Sequence, residues 1–104
     1  MPEAIERCPV ESAIQVIGGK WKLLVIRSLL LNGPQRYNEL LASVTAISQK
    51  ELTRNLRELN EAGLVIRSDG ANRLARYELS SLGSGLMPTF TSLLTWGQQL
   101  PTPR

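Results

Sequence analysis

Between residues 47 and 63 the chain spells out a helix with both ends marked, and that helix limits what the remaining residues can build around it. Ser48 precedes Glu51 by three positions, the spacing at which a hydroxyl accepts a first-turn amide and a carboxylate reaches back to the cap. Ile47 stands where it can staple onto Leu52, and the cap alone contributes about 1 kcal/mol. At about 100° per residue, Leu52, Leu56 and Leu59 share one stripe while Lys50, Thr53, Arg54 and Arg57 fall on the opposite side. Gly63 suits a left-handed C-cap. Alone, such a helix is equally an amphipathic surface helix with a solvated polar face. Its neighbours separate the two readings.

Upstream, Tyr37-Asn38-Glu39-Leu40-Leu41 offers Asn38 as an N-cap, with Leu40, Leu41 and Val44 as the apolar side of a short helix. Only the turn from Thr45 to Ile47 divides the two helices. Two helices joined so tightly, the second one basic, form a helix-turn-helix, whose second helix enters a DNA major groove while the first crosses the backbone. Downstream, Leu64-Val65-Ile66-Arg67 reads as a strand and Asp69-Gly70 as a hairpin turn. The returning strand alternates Ala75, Tyr77 and Leu79 against Leu74, Arg76 and Glu78. A hairpin after a recognition helix is a wing, and Asn72, Arg73 and Arg76 near its tip are placed to touch phosphates or a minor groove. The same pattern also fits a hairpin that only covers the core.

The remaining segments supply the core and, by expectation, a subunit interface. Trp21 to Leu31 is apolar on nearly every side, with Trp21, Leu24 and Val25 facing one way and Leu23, Ile26 and Leu30 the other, so this helix is expected at the centre. It ends at Asn32-Gly33-Pro34. Before it, Val10, Ala13, Ile14 and Ile17 make a short stripe, with Pro9 at the first helical position and Cys8 as N-cap. From Leu79 to Pro103 there is no charged residue, yet Leu82, Leu86, Phe90, Leu93 and Leu100 follow a helical stripe that Gly97 shares. A solvated helix is seldom uncharged for so long. The Ser, Thr and Gln residues, with Pro88, argue against a membrane span. Helices over 9–17 and 81–100 are thus expected to bury each other across a dimer.

A chain of 104 residues reads as one domain, 1–104, mainly α with a small β-hairpin, and small enough that a partner subunit would help bury apolar surface. Its net charge of +3 permits a nucleic-acid partner without demanding one. Glu3, Glu6 and Arg7 stand where a secretory leader would be apolar, so a cytoplasmic location is expected, and the single Cys8 fits a reducing compartment. The chain has no histidine to serve as a general base, no paired cysteine and no phosphate-cradling loop. No enzyme, cofactor or metal is expected. Gly18-Gly19 is too short for a nucleotide loop and instead lets the first two helices turn closely.

These residues resemble the HxlR-type regulators within the broader MarR-like winged helix proteins. The likeness spans roughly Cys8 to Gln99. It is carried by Cys8-Pro9-Val10-Glu11, Ile17-Gly18-Gly19-Lys20-Trp21-Lys22, Ile47-Ser48-Gln49-Lys50 with Leu52-Thr53, Leu56-Arg57-Glu58-Leu59 through Gly63-Leu64-Val65, and Tyr77-Glu78-Leu79 with Leu82-Gly83. The resemblance implies a small bacterial or archaeal transcription factor, taken as a repressor, that dimerises through its terminal helices and binds an inverted-repeat operator of double-stranded DNA. Carried over, the groove-facing residues are Ser48, Gln49, Lys50, Thr53, Arg54 and Arg57. Gln49 has the edge to read adenine and Arg54 or Arg57 guanine, while Lys50, Arg36 and Arg73 hold phosphates. Ser68 to Ala75 lacks the prolines usual in the family's wing and is about two residues short, which leaves the wing contact open. In some members the N-terminal cysteine senses oxidants or electrophiles. Cys8, at a helix N-terminus beside Arg7, is placed for that role, although lone cysteines commonly serve as small apolar residues and Glu6 and Glu11 offset the positive field. Without a second cysteine, a sensor must work through the partner's Cys8, a mixed disulfide or alkylation. The rival reading is a winged helix used as a protein-interaction module without DNA binding.

Overall fold

The computed structural model describes residues 8–69 and 75–102. Its interior is built around the second helix. α1 runs over Pro9–Ile17 and α2 over Lys22–Asn32, and α2 buries Val25, Ile26 and Leu29, with Trp21 just before it. Gly33 ends α2 at φ +76°, a conformation few side chains tolerate, and donates its N–H to the Leu29 carbonyl at 3.0 Å. The expectation for α2 is corrected on one side: Leu24 is exposed rather than packed, as is Leu31 seven residues on.

The short strand β1, Gln35–Arg36, follows directly and leads into α3, Tyr37–Ser43. Asn38 is not the cap of α3. Arg36 occupies that position, because Glu39 three residues on accepts its N–H at 2.8 Å and fixes the start two residues earlier. β1 is a third strand beyond the expected hairpin. It is held by Gln35, which is buried and donates to the Ser28 carbonyl at 3.0 Å and the Ser28 hydroxyl at 2.9 Å, while Ser43 donates to its Oε1 at 3.3 Å. Burying an amide is tolerable only with such partners.

α4, Gln49–Glu61, lays Leu52, Leu56 and Leu59 against the interior beside Leu40, Val44 and Ile47. Its C-terminus is a Schellman turn: Gly63, at φ +83°, donates to Asn60 O and Leu64 to Leu59 O, both at 3.0 Å, and the Leu59 and Leu64 side chains are buried in the same core. The chain then enters β2, Val65–Ser68, and returns along β3, Arg76–Leu79. The sheet is antiparallel in the order β1-β3-β2, pairing Gln35 and Arg67 with Tyr77, and Arg36 and Ser68 with Arg76.

Beyond the sheet, one continuous helix over 81–100 is not what forms. α5 spans only Ser81–Ser84 and α6 runs from Met87 to Gly97. The break has two causes. Gly83 packs so closely on the backbone just before β2 that an added Cβ would lie 2.2 Å from the Leu64 carbonyl oxygen, which holds α5 against this edge of the core. Pro88 then sits in the first turn of α6, where its missing N–H costs nothing, so it starts a helix rather than weakening one. Neither α1 nor α6 buries a residue: Val10, Ile14, Leu94 and Trp96 are each more than half exposed.

Candidate nucleic-acid interface

The N-terminus of α4 is fixed by its own residues. Ser48 Oγ accepts the Glu51 N–H at 3.1 Å, and Glu51 Oε1 accepts the Ser48 N–H at 3.2 Å. That backbone donor is the main influence holding the Glu51 carboxyl below the ordinary glutamate range, opposed by partial desolvation and helped by the Ser48 hydroxyl, the Trp21 side chain and Lys20. Lys20 in turn lies over the Trp21 ring, 4.8 Å from its centre. The cap of α4 thus lies near the segment that opens α2.

A second tie comes from α3. Tyr37 Oη donates to the Gln49 carbonyl at 2.9 Å and lies 2.8 Å from Thr53 Oγ1, so one phenol grips the first turn of α4. The third is ionic: Lys22 Nζ donates to Glu58 Oε1 at 2.5 Å, tying the start of α2 to the middle of α4. This bond is the largest influence lowering the Glu58 carboxyl from its ordinary value, against some desolvation, with Arg54 and Arg57 adding to it. Asn55, buried on the same helix, satisfies its amide on the Glu51 carbonyl at 2.7 Å. Helix α4 is thus held at its cap, its first turn and its centre.

What it turns outward is basic. Gln49, Lys50, Thr53, Arg54 and Arg57 are exposed and border one shallow depression together with Tyr37. Arg54 and Arg57 approach Glu58 at 3.6 and 3.8 Å, and Arg57 approaches Glu61 at 3.8 Å, while about half of each arginine side chain remains in solvent. Ion pairs that long and that exposed are weak, so a phosphate or a guanine edge competes for the guanidinium groups on favourable terms. Ser48 is exposed as well; its oxygen accepts the cap bond, and its O–H proton is left to donate outward.

Across a cleft of about 340 Å³, lined by Tyr37, Thr53, Leu56, Arg57, Asn60, Arg67 and Tyr77, the helix faces the sheet. Arg67, 3.5 Å from Asp69, joins the basic surface here. The sheet divides the remaining cations. Arg36 and Arg76 are directly paired on adjacent strands, a like-charge pairing that an anion would relieve, and Arg36 borders a second depression with Tyr37, Arg67 and Tyr77. Asn72 and Arg73 lie outside the described residues, as does Arg7. Cys8 is exposed, in extended backbone at the N-cap of α1, and its side chain makes no cap hydrogen bond.

Sequence reasoning missed Tyr37, Lys22, Glu58 and Arg67. A signal existed for Glu58, which stands four residues after Arg54 in the favourable helical spacing. Tyr37 and Lys22 act across 12 to 36 residues of chain and left no local trace. Among the described residues no helix is long and apolar enough to cross a membrane.

The HxlR-like helix-turn-helix family model matches residues 16–103. An uncharacterised helix-turn-helix transcriptional regulator of Bacillus subtilis, YkvN, is 41% identical over 92 residues, a stretch that covers 86% of this chain and 77% of that protein. Among solved structures, the redox regulator HypR in its oxidised form superposes with a TM-score of 0.80 at 34% identity, covering 92% of this chain and all of that one. Quinone-bound YodB from B. subtilis superposes with a TM-score of 0.77 at 33% identity, covering 89% of this chain and 100% of that one.

Proposed function

The chain belongs to the HxlR-like helix-turn-helix family of transcriptional regulators, not enzymes, and from that premise we propose that it represses transcription as a homodimer on an inverted-repeat DNA operator. One observation carries the reading: α4 is capped by its own residues and tied to α3 and α2 while Gln49, Lys50, Thr53, Arg54 and Arg57 face solvent together. A rigid helix presenting donors and cations is what direct readout needs, since a flexible one would lose ordering entropy on docking. Gln49 reads adenine, Arg54 or Arg57 guanine, and Lys50, Arg36 and Arg76 hold phosphates.

Dimerisation is supported by the apolar residues that α1 and α6 leave uncovered, among them Val10, Ile14, Leu93, Leu94 and Trp96. Pairing through these ends would set two α4 helices about 34 Å apart, in successive major grooves. Fluorescence anisotropy with DNA from the region upstream of the protein's own gene tests the proposal. Binding should fall steeply with salt and resist competition by random duplex. A flat salt titration with no preference over random DNA would contradict it and favour a protein-interaction module.

Control through Cys8 is part of the proposal. Its support is the exposure of the thiol and the likeness to HypR and YodB, solved in oxidised and quinone-bound forms. Modification at the first turn of α1 would act on the terminal helices and, through them, on the spacing of the two α4 helices.

A further inference from the structure

The hydrogen bonds around Tyr37 fix more than the position of α4, provided that α4 is the groove-reading element proposed above. Tyr37 Oη lies 2.9 Å from the Gln49 carbonyl oxygen and 2.8 Å from Thr53 Oγ1. A phenol has one proton and a carbonyl oxygen none. The contact with Gln49 is a hydrogen bond only if Tyr37 donates, so the bond with Thr53 exists only if the Thr53 hydroxyl donates to Tyr37. Elsewhere in the chain Thr91 and Thr95 spend their protons differently, donating to the carbonyls four residues back, Met87 at 3.0 Å and Thr91 at 3.2 Å. At Thr53 the carbonyl four residues back is that of Gln49, and it is Tyr37 that supplies it with a proton.

With its proton committed, the exposed Thr53 oxygen offers the groove acceptor lone pairs alone. A free threonine hydroxyl rotates to suit either kind of base edge. This one cannot without giving up Tyr37. We propose that Tyr37 makes Thr53 a one-directional reader, which accepts a hydrogen bond from the exocyclic amine of adenine or cytosine and disfavours guanine and thymine at the base it meets. The O6 and N7 of guanine and the O4 of thymine are themselves acceptors and would face its lone pairs. Thr53 is then a specificity-determining residue and Tyr37 its positioning residue.

The test is selection of duplexes from a randomised library by the full chain, followed by affinities for all four base pairs at each enriched position. Wild type should show, in each half-site, a position where adenine or cytosine is preferred over guanine and thymine by about 3- to 10-fold, the range of one neutral hydrogen bond. Thr53→Val should level that position and Thr53→Ser retain it. Tyr37→Phe releases the Thr53 proton to donate either to the Gln49 carbonyl or to a base, and should narrow the discrimination against guanine and thymine while the remaining positions keep their preferences. Replacing the preferred adenine by purine, or cytosine by 2-pyrimidinone, removes only the amine and should cost wild type the same factor and Thr53→Val nothing. An enriched operator in which no position answers to Thr53→Val, a Thr53-dependent preference for guanine or thymine, or a preference that Tyr37→Phe leaves intact would overturn this inference while DNA recognition stands. No enrichment at all, with salt-insensitive binding, would overturn both.

Discussion

Ser48 stands at the meeting point of folding and recognition, and two substitutions there separate the roles. Its hydroxyl accepts the Glu51 N–H at 3.1 Å, and Ser48→Ala deletes that bond while leaving the reciprocal bond from the Ser48 N–H to Glu51 in place. The cost is that of one lost cap, about 1 kcal/mol. For a domain of this size that lowers Tm by roughly 4–8 °C, equivalent to about a fivefold drop in the folding constant. Ser48→Asp should recover the lost stability, because aspartate caps as well as serine and its charge suits a helix N-terminus. It also plants a carboxylate on a surface proposed to meet phosphates, so DNA affinity should fall by about tenfold or more, the effect of one adverse charge at close range. Thermal denaturation followed by circular dichroism and anisotropy with operator DNA measure the two effects. If Ser48→Ala melts with wild type, the cap is not what fixes α4. If Ser48→Asp is stable and still binds the operator normally, the N-terminus of α4 does not approach a phosphate or base edge.

Glu58→Gln should free Arg54 and Arg57 and leave Lys22 without its partner, strengthening binding to random duplex and steepening the dependence of log K on log salt by about 0.9 for each additional phosphate neutralised, as read from salt titrations. Because the carboxyls of Glu51 and Glu58 are both held below the ordinary glutamate range, whatever they contribute to stability is intact at neutral pH and disappears only as the pH falls through their lowered values; urea denaturation at pH 7 and pH 3 should show Glu58→Gln converging with wild type in acid. Gly83→Ala should destabilise by about 1–3 kcal/mol, measurable in urea, since the new methyl group meets the Leu64 carbonyl oxygen rather than a side chain that can turn away. Trp96→Asp, at a residue more than half exposed in the protomer, should preserve the circular dichroism spectrum yet yield monomers by analytical ultracentrifugation and weaken operator binding; an unaltered dimer would place the interface elsewhere.

What the residues disclose in advance follows the range over which each signal acts. The cap at Ser48, the Leu52-Leu56-Leu59 stripe, the Schellman turn at Gly63 and the stop at Gly33-Pro34 are each encoded within a few neighbouring positions, and all form. β1 is only two residues long, too short for any periodicity, and is held by the buried amide of Gln35, whose partners Ser28 and Ser43 lie seven and eight residues away. Pro88 is ambiguous for a different reason: the same residue weakens a helix interior and favours a first turn, and only the packing of Gly83 against the Leu64 backbone decides which. The outward basic set on α4 is legible because amphipathicity assigns both faces at once. Its supports are not, since Tyr37 and Lys22 reach it through the fold.

That difference bears on how recognition is built. The residues that would touch bases lie on a helix whose address is written locally, whereas the hydrogen-bond state of Thr53 depends on Tyr37, 16 residues away, and the freedom of Arg54 and Arg57 on a glutamate neutralised by Lys22, 36 residues away. Two chains with identical α4 sequences would therefore present different acceptors and differently restrained cations if either support changed. A phenylalanine at position 37 preserves the apolar packing of the ring and removes the proton that Gln49 receives, so it releases the Thr53 proton together with one of the ties on α4. If α4 reads DNA as proposed, its specificity would rest on the side chains beneath the helix as well as on those upon it.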